Sequence, residues 1–368
     1  MKITQIDLFQ VTYRLLDMRY AWSGGRSVSG FLSSIVRIST DEGVQGYGEV
    51  CPLGAAYIES YAEGVPAGVQ QLGKALIGLD PRDTHVVNSV MDRTLSGHLY
   101  VKSPLDIACW DILGKSAGLP VATLIGGAFV REYPLYRAIS QQSPGEMAAD
   151  VEKYRSQGYR RFQLKVGGDP DEDIRRVEKV LGVLSPGDVL VADANTGWLM
   201  HQAVRVANAL EGKDVYMEAP CASYEECLAV RRRTRLPFVL DEHITGIQPF
   251  LRAYGDGGMD VVNIKISRLG GLTKAVQLRD LCVSTGTAMT LEDSWGGDIA
   301  TATIGHLVGS TPPAFLFTST DFNSYNDLHV SPDAPRRVEG RISVPAGPGL
   351  GIRVDEKSLG APVVTVRG

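Results

Sequence analysis

Five charged residues close apolar segments in the middle and second half of this chain, and their types and spacing suit proton chemistry beside a divalent metal. Asp193 closes VLVAD, Glu218 closes VYME, Asp241 closes FVLD and Lys265 closes VVNIK, at intervals of 25, 23 and 24 residues. Lys165 closes an upstream segment, FQLK. A strand, a helix and their two turns repeat at about 25 residues in βαβ crossovers. Charged ends at that interval fall on neighbouring parallel strands, all at one edge of the sheet. Barrel enzymes carry their catalytic groups at that edge.

Removing a proton from the carbon beside a carboxylate is hard because the enediolate that forms carries two negative charges. A Mg²⁺ ion on that carboxylate offsets the developing charge. Magnesium takes oxygen ligands and keeps positions open for substrate, so Asp193, Glu218 and Asp241 are the candidate metal ligands. A lysine must be neutral to accept a proton. Burial and neighbouring positive charge, from the metal and the second lysine, are expected to lower its pKa toward the working pH. Lys165 and Lys265 come from well-separated strands, so their amines are expected to address opposite faces of a bound substrate as the acid/base pair.

The elements that position these groups are legible in outline. The 368 residues suit a barrel of about 250 residues plus a smaller domain. Up to about residue 128 the chain alternates as strands (ITQIDLFQVTYRL, SSIVRIST, VQGYGEV), with DEG at 41–43 as a hairpin turn. Helical stretches follow, GVQQLGKALIGL and SPLDIACWDILGKSAG; Ser103 with Asp106 reads as a capping box, with Pro104 at the first helical position. From Tyr133 the pattern becomes βα alternation, through YPLYRAIS, RRFQLKV, VLVAD, VYMEA, PFVLDE, DVVNIKI, TAMTLED and AFLFTST. The fold class is therefore α/β, a modified (β/α) TIM barrel at 129–320 with an α+β capping domain at 1–128. The Asp-, Asn-, Gly- and Pro-rich residues 321–368 are expected to return to the capping domain.

Composition excludes several classes. With 37 basic and 42 acidic residues and no basic block, nucleic acid is not an expected partner. No run of eighteen apolar residues exists to span a membrane. The start, MKITQIDLFQVTYRL, lacks the apolar core of a signal peptide, and five scattered cysteines read as reduced thiols, so a cytoplasmic location is expected. Glu242 is a rival ligand that strand alternation points away from Asp241. Asn195 is either a neighbour of the metal site or the cap of the next helix. His243 and His306 read as structural, and Ser294 has no histidine in a nucleophile motif.

GVQGYGEV, SPLDIACWDILGK, the barrel segments and GPGLGI together resemble the enolase superfamily, in its muconate-lactonizing-enzyme type of subgroup, over essentially the whole length. The resemblance implies the same barrel and cap, Mg²⁺ on Asp193, Glu218 and Asp241, acid/base roles for Lys165 and Lys265, and a homo-oligomer. Where the subgroup commonly has Lys-x-Lys, this chain has Gln163-Leu164-Lys165; Gln163 is then a candidate to bind the substrate carboxylate. CPLGAAYIES, GHLYVKSPLDIACWD and LEDSWGGDIA resemble the branch acting on proline derivatives, which includes cis-3-hydroxy-L-proline dehydratases and hydroxyproline-betaine 2-epimerases. That resemblance implies a small proline-type amino acid as substrate. Asp293 is placed to pair with a cationic ring nitrogen, Ser294 lies beside it, and Trp295 and Tyr57 are placed to wall the ring. AWSGGRSVSG at 21–30 is expected to form a glycine-hinged lid. The loop TSTDFNSYND offers Phe322 and Tyr325 but no tryptophan to cage a methylated nitrogen. Dehydration of the cis-3-hydroxy amino acid is the leading expectation, with 2-epimerisation of a hydroxyproline betaine as the alternative.

Overall fold

The computed structural model describes residues 1–17 and 19–368. Segments apolar on both faces, such as VVNIK and AMTLE, form strands that must be covered on both sides, and they build a parallel sheet. Eight strands lie side by side in chain order: Tyr136–Ile139, Arg161–Lys165, Val189–Asp193, Tyr216–Glu218, Phe238–Leu240, Val261–Lys265, Ala288–Glu292 and Leu316–Ser319. The first and last are the two edges of this near-closed barrel, and the Thr320 hydroxyl bridges them by donating to the Tyr136 carbonyl (3.4 Å). Helices join the strands, among them Pro170–Leu181, Met200–Ala209, Tyr224–Arg231, Ile247–Gly255, Leu272–Thr285 and Asp298–Gly309. Their starts follow the sequence signals. Asp169 accepts from the Glu172 backbone N–H, and Ser223 with Glu226 forms a capping box.

The second layer is an antiparallel sheet in the order Val364–Arg367, Ile3–Arg14, Gly30–Thr40, Gln45–Val50, backed by the helices Val65–Leu76, Thr84–Thr94 and Leu99–Ala117. Val364–Arg367 pairs antiparallel with Ile3–Arg14, with Gln5 opposite Arg367. The fold is thus the expected modified (β/α) TIM barrel with a strand-rich capping domain. One local expectation fails. The third cap helix begins at Leu99, so Ser103 and Pro104 lie inside it rather than at its start. Gly48 explains how that helix packs: a Cβ there would meet the Pro104 carbonyl at 1.9 Å, so only glycine lets strand and helix approach so closely.

The cap docks onto the barrel through buried carboxylates. Glu49 accepts from the backbone N–H groups of Gly297 and Ala300 (both 2.8 Å) at the start of helix Asp298–Gly309. Asp106 accepts from the backbone N–H of Thr273 (2.9 Å) at the start of helix Leu272–Thr285. Each places an anion on the positive end of a helix dipole. All five cysteines are free and buried. Among the described residues no helix is long and apolar enough to cross a membrane.

Candidate active site

Strand register brings the expected residues to one level. Lys165 lies opposite Asp193, and Asp193 opposite Glu218, on three adjacent strands. Lys265 lies opposite Glu292 on the sixth and seventh strands. Asp241 follows directly after Leu240, where the fifth strand ends. All five sequence-predicted groups are buried at the barrel mouth.

There they form a charge network. The Lys165 amine donates to Asp193. The Lys265 amine donates to Asp241 at 2.5 Å and lies 2.9 Å from Glu292. Arg268 donates to the other Asp241 oxygen at 2.5 Å, and the Tyr57 hydroxyl also donates to Asp241 at 2.9 Å. Glu218 accepts from Gln163 (3.0 Å) and Asn263 (3.2 Å). Burial works against the charge on Lys165, but Asp193, Tyr20 and Glu218 outweigh it and hold its pKa well above the ordinary lysine value. Lys265 is likewise held above that value, against burial, by Asp241 and Glu292. Burial and positive charge both lower a lysine pKa, but the carboxylates that these lysines contact act more strongly in the other direction.

The donor set fits a hard divalent cation. Among the described residues no three acidic, histidine or cysteine side chains stand together as a ready metal cage; Asp193 and Asp241 are instead bonded to Lys165 and Lys265. Glu218 carries the telling signature: burial, then the charges of Asp193 and Asp241, push its pKa well above the carboxylate range. Glu242 is raised to about 7 by burial, Asp241 and Asp193. Oxygen anions crowded at one place with too little positive charge between them are what Mg²⁺ accommodates.

Glu242 does not point away, as strand alternation predicts. The strand stops at Leu240, so the period of two no longer applies, and Glu242 accepts from Asn195 Nδ2 (3.1 Å) beside the site. Asn195 is not a helix cap, since the next helix starts at Met200. It sits in the left-handed region (φ 41°), and its backbone N–H donates to Asp193 at 2.8 Å. His306 is buried and accepts from the Ala122 N–H at 3.1 Å; burial lowers its pKa to about 4.

A small, narrow cavity opens above the network, lined by both lysines, Gln163, Tyr57, Asp293, Ser294 and Trp295, with Tyr20, Tyr136, Glu292, Phe322 and Tyr325 completing it. Every sequence-predicted substrate residue therefore faces one space. Asp293 is already well served, by the Ser267 N–H and hydroxyl and the Ser294 N–H, and burial leaves its pKa raised to about 6. Trp295 stacks on Phe31 of the cap at 4.3 Å. The segment expected as a lid contains a hairpin, Tyr20–Trp22 with Arg26–Val28, whose Ser23 hydroxyl donates to the Asn195 carbonyl at 3.2 Å. A Cβ on Gly167 or Gly197 would meet the Ser23 Cβ at 2.7 Å, so two glycines let this hairpin sit close to the barrel mouth. Sequence reasoning missed Glu292, Asn263 and Arg268. Glu292 was visible as a second acid at the end of TAMTLED; Asn263 shares the face of Lys265 two residues on.

Comparison with known proteins agrees with this architecture. Residues 146–358 match the family model described as enolase C-terminal domain-like, and residues 26–126 match the mandelate racemase/muconate lactonizing enzyme N-terminal domain. The chain is 53% identical over 363 residues, 99% of each chain, to a cis-3-hydroxy-L-proline dehydratase of Roseibium aggregatum. A mandelate racemase/muconate lactonizing enzyme structure from Roseovarius nubinhibens superposes with a TM-score of 0.96 at 41% identity, over 100% of this chain and 98% of that one. A second structure from that organism, complexed with magnesium, matches with a TM-score of 0.96 at 35% identity over 100% of both chains.

Proposed function

This chain is an enzyme of the enolase superfamily, with mandelate racemase/muconate lactonizing enzyme domains, and from that premise we propose that it dehydrates cis-3-hydroxy-L-proline to Δ1-pyrroline-2-carboxylate. The observation that carries this reading is one small cavity into which two lysines from separate strands, a carboxylate (Asp293) and an aromatic wall all converge. The 53% identical relative supports it.

In this reading Asp193, Glu218 and Asp241 hold Mg²⁺, which when bound supplies Lewis-acid stabilisation of negative charge on the substrate carboxylate. Gln163 contributes a hydrogen bond to that carboxylate. Asp293 pairs with the ring nitrogen, while Tyr57 and Trp295 close on the ring. Lys165 takes the α proton as general base, leaving the enediolate. In the cis isomer the α proton and the 3-hydroxyl lie on opposite ring faces. Lys265 protonates the departing hydroxyl from the far side, the C3–O bond breaks, and water leaves. The enamine so formed tautomerises to the cyclic imine. Delivery of the Lys265 proton to the α carbon instead would give the 2-epimer, so epimerisation competes in the same site.

Betaine epimerisation is the second reading. One face of Tyr325 is already covered by the Arg137 guanidinium, 3.5 Å from the ring centroid. This leaves a poorer ring for a methylated nitrogen and favours the unmethylated amino acid. The division of the chain into 1–128, 129–320 and 321–368 belongs to the same proposal, as does assembly into a homo-oligomer.

Proton NMR in D₂O of the Mg²⁺-loaded protein tests it, using proline, the 3- and 4-hydroxyprolines and their N-methylated betaines. Loss of cis-3-hydroxy-L-proline with a pyrroline carboxylate appearing is expected. Exchange at the α carbon without elimination, strongest for a betaine, would replace dehydration by epimerisation. Silence across the panel would remove the proline assignment.

A further inference from the structure

The two lysines are not held alike. Among the described residues, Lys165 has Asp193 as its carboxylate partner and the Tyr20 ring 5.9 Å away. Lys265 is bonded to two carboxylates, Asp241 at 2.5 Å and Glu292 at 2.9 Å. Asp241 belongs to the candidate metal cluster. Glu292 does not, and it has a scaffold of its own.

That scaffold is built from three strands. Glu292 lies opposite Lys265 in the register of adjacent parallel strands, so both side chains leave the sheet at one level. The oxygen that accepts from Lys265 also accepts from Asn263 Nδ2 at 2.8 Å. The other oxygen accepts from the Tyr136 hydroxyl of the first strand, reaching across the barrel interior. Asn263 in turn donates to Glu218 at 3.2 Å. Glu292 is 2% exposed and lines the cavity. Its neighbour Asp293 is bonded to Ser267 and Ser294 instead, so these two consecutive acids serve different groups.

We propose that Glu292, fixed by Tyr136 and Asn263, is a positioning residue that aims the Lys265 amine at one face of the substrate cavity. Whichever partner Asp241 takes, Glu292 remains beside Lys265 and keeps the amine on the sixth-strand side. Among the described residues Lys165 has no such second carboxylate anchor. The inference rests on the acid/base roles given above, and it adds what fixes the geometry of one of the two.

The test combines exchange with crystallography on the Mg²⁺-loaded protein. With cis-3-hydroxy-L-proline in D₂O, the ratio of product formed to α-deuterium incorporated is measured for wild type, Glu292→Gln and Glu292→Ala. Misplacing a catalytic group by about 1 Å costs on the order of a hundredfold, so that ratio should fall by up to that factor in Glu292→Ala. Glu292→Gln keeps an acceptor for Lys265 and Asn263 and should recover most of it. An equal fall in product and exchange, or no change in either, would overturn the proposal. So would Gln no better than Ala. The crystal structure of the Mg²⁺-loaded wild type provides a readout independent of substrate. Lys265 Nζ within hydrogen-bond distance of Glu292 supports the inference; an amine turned away from it refutes the inference even if dehydration is confirmed. If no proline derivative reacts but the contact stands, the substrate reading fails while the positioning role survives.

Discussion

Buried carboxylates occur both at the junction of cap and barrel and at the barrel mouth, and the donors around them differ in kind. Glu49 is bonded by two backbone N–H groups and by the hydroxyls of Ser33 and Tyr13. Asp106 is bonded by Thr273, through backbone and hydroxyl, and by Asn88. These donors are mostly neutral and largely fixed by backbone, so the contacts are joints. At the mouth, Asp193 and Asp241 are bonded by Lys165, Lys265 and Arg268, long side chains that can exchange partners. Among the described residues, Glu218 is bonded by amide donors alone, Gln163 and Asn263. A buried carboxylate held by fixed dipoles secures structure, whereas one held by mobile cations can give its charge to a ligand.

Removing a charge in each region should separate them. Glu218→Gln is expected to lower kcat/KM by roughly 10⁴, since metal assistance contributes several kcal/mol, while leaving the melting temperature unchanged or higher. A marked loss of stability in that variant would put the mouth carboxylates among the joints. Asp106→Ala should do the opposite. Its unpaired donors cost about 4 kcal/mol in urea unfolding, with kcat per folded molecule preserved.

Asp321 is a third kind: buried, with neither carboxylate oxygen bonded to a donor among the described residues. Burial raises its pKa from 3.8 to about 6. A raised carboxylate contributes stability below pH 3.8 and loses it as pH rises through about 6. Asp321→Asn should therefore stabilise the protein by up to about 3 kcal/mol above pH 7 and not below pH 4, as read by thermal melts at both values. Equal effects at the two pH values would show that the group is solvated. The smallest expected effect is Mg²⁺ itself, which should raise stability by about 2.7 kcal/mol at a hundred times its Kd, and not in Asp241→Asn.

The mouth was legible because a strand-helix repeat converts sequence interval into strand register, and Lys165, Asp193 and Glu218 do lie level. The same logic misplaces Glu242, since periodicity says nothing once the strand has stopped. Pro104 reads as a helix start, yet its helix runs back to Leu99. Arg268 escapes because its role lies in a contact with Asp241 across two separate segments of the chain, which no interval along the sequence reports.

The pairing of Ile3–Arg14 with Val364–Arg367 has a consequence for assembly of the molecule. The barrel strands pair in order of synthesis and close short loops, whereas this pairing closes nearly the longest loop the chain allows. Loop-closure entropy and contact order both make it a late event. We expect pulse-labelled hydrogen exchange to protect the barrel amides before those of residues 5–8; simultaneous protection would contradict this order. The edge that anchors the first strand of the cap would then arrive last, so a nascent chain carries its charged mouth before the cap that shields it is complete.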